Sequence, residues 1–171
     1  MIPRIIHQTW KIADVPENLR FFQKTWLAHH PGWEYRFWTD ADCRDFIASQ
    51  YPLFLPIYDD YAAPICRADA IRYFLLRHFG GLYADLDFEC LRPLAPLLEG
   101  RGAVLGLEPA SHVASHRQKG YEFDWIICNA LMASEPGHPF WDHVLARLIE
   151  SANQPGPLEA TGPFFLTRAM N

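Results

Sequence analysis

"RADAIRYFLLRHFGGLYADLDFEC", residues 67–90, joins an apolar helical pattern, a glycine pair and a strand-like run ending in two aspartates one residue apart. Pro64 suits the first turn of a helix that ends near Phe79, and Gly80-Gly81 closes it with residues free to take a positive φ. Leu82, Ala84 and Leu86 then alternate with Tyr83, Asp85 and Asp87, as on a strand. Residues two apart on a strand point to the same side, so Asp85 and Asp87 are expected to project together with Leu86 turned to the core. At about 4 Å and an effective dielectric of about 20, two such charges repel by about 4 kcal/mol. Solvent, Arg67, Arg72 or a hard divalent ion must offset this. Oxygen-only ligands favour Mg2+, Mn2+ or Ca2+ over zinc, and Mg2+-type ions commonly take one or two carboxylates plus substrate phosphates. The residues point to a metal–diphosphate site.

Asp-x-Asp alone is a weak motif, because the chain holds a second one at Asp40 and Asp42 in "FWTDADCRDF". That pair has a structural explanation. Thr39 or Asp40 stands just before a helical run, where a side-chain oxygen caps free amides, and carboxylates in a first turn suit the positive end of the helix dipole.

Outward from residues 67–90 the pattern alternates. "PRIIHQTW" reads as a strand over Arg4–Gln8, and "VPENLRFFQKTWLAHHP" as a helix ended by Pro31-Gly32. "WEYRFW" (33–38) reads as a half-buried strand, residues 39–51 as a helix, and residues 52–64 as a short helix and connection. Residues 103–109 and 124–134 read as strands, 138–153 as an amphipathic helix, and 161–170 as the start of another with Thr161 as its cap. Residues 108–123, rich in Ser, His, Lys and Gly, read as a surface loop. Alternating strands and helices predict one α/β domain over residues 1–171, Rossmann-like, its largely parallel sheet flanked by helices. Ligands of such sheets bind at the carboxyl ends of the strands, where Asp85 and Asp87 fall.

The bulk composition narrows the function. Half of the 171 residues are hydrophobic, and the net charge of -5 leaves no electrostatic case for a nucleic-acid partner. Cys43, Cys66, Cys90 and Cys128 have no CxxC spacing and read as reduced, mostly buried thiols of a reducing compartment. His112 and His116 lack the glutamate of a zinc-protease motif and read as part of the polar loop. No run of about 18 apolar residues and no signal peptide are evident, so a soluble cytoplasmic protein is expected, or one peripheral at the membrane where its acceptor is made.

"IPRIIHQTW", "RADAIRYFLLRHFGGLYADLDFEC", "NALMASEPGHPFW" and "TGPFFLTRAM" together resemble the DXD-containing glycosyltransferases of family 32. These include fungal α-1,6-mannosyltransferases and bacterial capsular-polysaccharide enzymes. A more distant likeness is to the glucosylating domains of large clostridial toxins. The resemblance implies a GT-A fold, a GDP- or UDP-hexose donor, a glycan or lipid-linked glycan acceptor, and retention of anomeric configuration. It implies Mn2+ or Mg2+ bound directly by Asp87, with Asp85 holding ribose or sugar and the metal's waters. Asp69 and Arg72 match the helix pair that holds donor sugar hydroxyls and phosphate. Trp10 matches the aromatic that stacks on the base, Tyr83 one that packs beside the nucleotide, and Asn129 a polar residue near the donor sugar. Family members run beyond the "TGP" block, so a further C-terminal part is expected to add metal ligands and part of the acceptor site.

Plainer readings stand beside these. Asp69 and Arg72, three apart on a helix, also fit a surface ion pair. Trp10 also fits plain core, Asn129 a structural bridge, and His7 a packed histidine. An aspartate-nucleophile phosphatase also uses Asp-x-Asp at a strand end, but its motif calls for Thr or Val where this chain has Glu89. A degenerate transferase that binds donor and metal without turnover is the third reading.

Overall fold

β-Branched and aromatic residues start the chain as strand β1 (Ile5–Trp10), and the computed structural model describes residues 1–170. Helix α1 (Glu17–His29) returns to β2 (Glu34–Thr39), which pairs with β1 in parallel. Helices α2 (Asp40–Gln50), α3 (Leu55–Asp60) and α4 (Pro64–Phe79) follow, and then β3 (Gly81–Ala84) pairs with the other side of β1, again in parallel. After α5 (Ala95–Leu98), β4 (Ala103–Leu107) and α6 (Ala110–Gln118), strand β5 (Ile127–Ser134) inserts between β3 and β4, antiparallel to both. Helices α7 (Pro139–Ser151), α8 (Pro157–Ala160) and α9 (Pro163–Ala169) close the described chain.

The sheet order is β2-β1-β3-β5-β4. Four strands run one way and β5 runs back, so the expected α/β layering holds with one reversed strand. The chain leaves β1 toward β2 and later returns to its other side with β3. The gap between β1 and β3 is therefore a topological switch point, where such sheets open a crevice for ligands.

Helix α4 is the spine of one layer. Ala70, Ile71, Tyr73, Phe74, Leu75 and Leu76 are all buried, packed among Phe46, Ile47, Trp141, Val144 and Phe165. Gly80 (φ +65°) and Gly81 (φ +93°) then turn the chain from α4 into β3. A Cβ on Gly81 would lie 2.7 Å from the Ile5 carbonyl oxygen, so the close approach of β3 to β1 requires glycine there.

Three expectations need correction. Residues 110–118 are helix α6 rather than loop. Only Val113 of that helix is buried, so the apolar spacing that announces a helix is missing from its sequence. Strand β3 stops at Ala84; the Asp85 amide still bonds the Ala130 carbonyl at 2.8 Å, and the Phe88 amide then closes a turn on the Asp85 carbonyl at 3.1 Å. Asp85 and Asp87 therefore lie on a turn, not side by side on an extended strand. Thr161 caps nothing with its side chain, because Gly162 is the N-cap of α9 and the Thr161 hydroxyl turns to Asp69.

Candidate functional site

The second Asp-x-Asp is a cap, as expected. Thr39 Oγ1 accepts the Asp42 amide at 3.2 Å, and Asp42 Oδ2 accepts the Thr39 amide at 2.9 Å. This reciprocal box satisfies two helix-end donors and leaves Asp42 no further task.

At the switch point the structure gathers Asp69, Arg72, Tyr83, Asp85 and Asn129 into one bonded set. Asp69 and Arg72 lie three residues apart in the middle of α4. Arg72 Nη2 lies 2.9 Å from Asp69 Oδ1, and Nη1 lies 3.2 Å from Asp85 Oδ1. Nη1 also donates to the Asn129 carbonyl at 2.8 Å, and Nε to the Ala68 carbonyl at 3.2 Å. The guanidinium stacks over Tyr83, 4.8 Å from the ring centroid. The Arg72 and Asp69 side chains are only 4% and 9% exposed, so the surface ion-pair reading is excluded by burial.

The other partners complete the set. Asn129 Nδ2 donates to Asp69 Oδ1 at 3.1 Å, and the Thr161 hydroxyl donates to Oδ2 at 3.3 Å. Tyr83 is fully buried, and its hydroxyl donates to Asp85 Oδ1 at 2.8 Å while lying 3.1 Å from Thr9 Oγ1. It underlies Asp85 and presents no face to a nucleotide base. Gln8 Nε2 donates to the Asp85 carbonyl at 3.3 Å across the same gap.

Burial pushes the Asp69 carboxyl above its ordinary pKa, opposed chiefly by the Arg72 charge. Burial pushes Asp85 up in the same way, with Arg72 and the Tyr83 hydroxyl pulling it back. Burial also holds the Tyr83 phenol well above its usual value, so it remains a donor. Arg72 stays charged despite its burial, which alone would lower its pKa, because Tyr83, Asp85 and Asp69 surround it. A fixed cation in a water-poor setting is the arrangement that stabilises charge developing on a leaving group.

Asp87 differs from all of these. It is exposed at the tip of the turn, and among the described residues no hydrogen bond or ion pair engages its carboxylate. Among the described residues no group of three or more His, Cys, Asp and Glu side chains is placed to hold a metal. A hard cation at this turn would have at most the Asp85 and Asp87 carboxylates from the described chain, with phosphates and water supplying the rest, which is the habit of Mg2+-type ions. The donor set fits Mn2+ or Mg2+.

Trp10 ends β1 at the same edge, partly exposed, with Lys11 Nζ 5.9 Å from its ring centroid. A groove of about 450 Å³ opens on the far side of β5, lined by Leu107, Glu108, Val113, Arg117, Asp124 and Trp125. Neither Asp85 nor Asp87 lines it.

Thr9, Gln8, Tyr73 and Thr161 belong to the site's support, although no spacing or motif singles them out within the stretches that carry the resemblance. Tyr73, whose hydroxyl receives Asn129 Nδ2 at 3.3 Å, reads only as core in a helical pattern. Thr161 stands in a stretch whose resemblance marks it, but its role depends on a contact ninety-two residues away.

The fold is that of a glycosyltransferase domain. The structure of PaToxG glycosyltransferase superposes with a TM-score of 0.71 at 14% identity, covering 99% of this chain and 69% of that one. Residues 16–103, from the start of α1 through the Asp85–Asp87 turn to the start of β4, match the family described as the glycosyltransferase sugar-binding region containing a DXD motif, and the chain belongs to that family. Inositol phosphoceramide mannosyltransferase 3 of Schizosaccharomyces pombe is 41% identical over 97% of this chain and 44% of its own length. Mannosyl phosphorylinositol ceramide synthase SUR1 of Saccharomyces cerevisiae is 40% identical over 86% of this chain and 35% of its own. The chain spans less than half the length of either relative. Family membership decides against the phosphatase reading of the motif.

Proposed function

We propose that the protein transfers a hexosyl group from a nucleoside-diphosphate sugar to a glycan or lipid-linked glycan acceptor, with retention and with a divalent ion at Asp87 and Asp85. The observation that carries this reading is the division of labour at one turn. Asp85 is bonded into the buried Arg72–Asp69 set, and Asp87 two residues later is free of any bond within the described chain. A mannosyl donor fits best, since the relatives named above are mannosyltransferases, but GDP- and UDP-hexoses share the diphosphate this site would meet.

In this reading Asp87 holds the metal, Mn2+ or Mg2+, which supplies positive charge to the diphosphate. Asp85 orients the ribose or the metal's waters. Arg72 faces the leaving diphosphate as a fixed cation and Asp69 accepts from donor sugar hydroxyls, both prevented from turning away by Asn129 and Thr161. Trp10, partly exposed at the end of β1, would stack on the base. Tyr83 acts from below, by holding Asp85.

The test is donor consumption. The protein is incubated with GDP-mannose, UDP-glucose, UDP-galactose and UDP-N-acetylglucosamine, with Mn2+, Mg2+ or a chelator, and release of nucleoside diphosphate is followed. Metal-dependent release from one donor is expected, reduced at least about a hundredfold in Asp87→Ala, the scale for loss of one preorganised electrostatic contact. Full activity in a folded Asp87→Ala protein, or in chelator, contradicts the reading.

A further inference from the structure

We propose that Thr25, Trp26 and His30 of α1 are positioning residues for the Asp85–Asp87 turn. The proposal rests on the reading of Asp87 as a metal ligand. These residues lie some sixty positions away in the chain, yet all three bond the backbone that leaves the turn.

The segment from Phe88 to Leu94 has no helix or strand of its own. Its polar backbone groups must find partners elsewhere. Trp26 Nε1 donates to the Phe88 carbonyl at 2.7 Å. The Cys90 amide donates to Thr25 Oγ1 at 2.9 Å, and the Leu94 amide donates to His30 Nε2 at 3.0 Å. The last bond sets the histidine tautomer. Nε2 accepts, so it carries no proton, and Nδ1–H donates to the Trp26 carbonyl 3.1 Å away. Trp26 and His30 are themselves immobilised: both are buried, and their rings stack with centroids 5.7 Å apart.

Asp87 needs such support because nothing in the described chain holds its own side chain. Its position comes from the backbone on either side. Upstream the Asp85 amide is fixed to Ala130 on β5, and downstream the residue directly after Asp87 is fixed to Trp26. Site geometry must hold to within about 0.5 Å, and loss of a group that orients a metal ligand typically costs about 10–100-fold in metal affinity. Helix α1 thus sets where the metal-binding carboxylate stands, through bonds that packing alone would not require.

The test is Mn2+ binding, read from the electron paramagnetic resonance signal of the free ion, with GDP or UDP present. Trp26→Phe keeps an aromatic ring and removes the N–H. Trp141→Phe is the matched control: Trp141 is as deeply buried, but its indole nitrogen has no hydrogen-bond partner among the described residues. We expect Trp26→Phe to weaken nucleotide-dependent Mn2+ binding about tenfold, and Trp141→Phe to leave it within about twofold. Thr25→Val, at a half-buried position, gives a second, milder lesion with a loss of about threefold, and decides the matter should Trp26→Phe not fold. Wild-type Mn2+ binding in Trp26→Phe or in Thr25→Val, or equal weakening in Trp141→Phe, overturns the positioning role. Absence of nucleotide-dependent Mn2+ binding in the wild type overturns the metal reading itself, before any variant is compared.

Discussion

Arg72 Nη1 lies 3.2 Å from Asp85 Oδ1, and no cation of the described chain pairs with Asp87 two residues further on. One buried guanidinium serves both Asp69 and Asp85. With the carboxyls ionised, Asp69, Asp85 and Asp87 outweigh Arg72 by two charges, a deficit that the proposed divalent ion would offset.

Arg72 therefore carries two burdens that substitution separates. Arg72→Ala leaves the buried Asp69 carboxylate and the partly exposed Asp85 carboxylate without their cation and is expected to cost about 3–5 kcal/mol in urea denaturation. Arg72→Lys keeps the charge but has no planar fork to reach Asp69, Asp85 and the Asn129 carbonyl together. It should recover part of the stability and still lose about tenfold or more in donor turnover. Turnover that tracks stability alone would deny Arg72 its role toward the diphosphate.

The two Asp-x-Asp pairs should respond in opposite ways. Thr39→Ala breaks the capping box and is expected to cost about 1 kcal/mol of stability. It should leave metal-dependent nucleotide binding unchanged. Asp87→Ala should lose that binding with little change in melting temperature, because its side chain makes no bond within the described chain. Calorimetric titration and thermal melts on both variants check the contrast.

Acid stability should depend on His7. Its Nε2–H donates to the Gly80 carbonyl at 3.0 Å, its Nδ1 accepts from Trp38 Nε1 at 3.2 Å, and burial lowers its pKa to about 4. The unfolded chain protonates near 6.5, so this contribution is present above that pH and is lost as pH falls from 6.5 toward 4, by roughly 3 kcal/mol in all. Burial lowers the His30 pKa as well, which acts in the same sense. Asp69 and Asp85, raised by burial, act oppositely, so the measurement is a difference. A glutamine amide in place of the imidazole can donate to Gly80 and accept from Trp38 without gaining a proton. Denaturation of wild type and His7→Gln at pH 7 and pH 4 should show the larger loss in wild type.

Gly81→Ala tests the junction that places the turn. The new methyl would meet the Ile5 carbonyl at 2.7 Å with φ at +93°. A loss of about 3 kcal/mol or more is expected in urea denaturation, the range for a special backbone position combined with a clash. A loss below about 0.5 kcal/mol would mean that β3 can draw back from β1 freely.

The helix–glycine–strand unit of residues 64–84 is legible in the sequence, because its apolar period, proline start and glycine end agree. The cap at Thr39–Asp42 is legible too, since a cap is a local contact. The buried state of Asp69 and Arg72 is not. An acid and a base three apart look the same on a wet helix or a dry one, and what dries this pair is Asn129 and Thr161, sixty and ninety-two residues away from Asp69. The resemblance singles out Tyr83, but its depth beneath Asp85 depends on β1 and Thr9. Helix α6 escapes because it rests on local hydrogen bonds and one buried valine.

The most direct test of the central claim is a thermal melt of wild type and Asp87→Ala with GDP-mannose and the UDP-hexoses, each with and without Mn2+. A ligand at about a hundred times its Kd adds about 2.7 kcal/mol, or about 5–11 °C for a domain of this size. The account predicts such a rise for one donor in wild type, dependent on Mn2+ and lost in Asp87→Ala. The same rise in Asp87→Ala, or a rise indifferent to Mn2+, would contradict it.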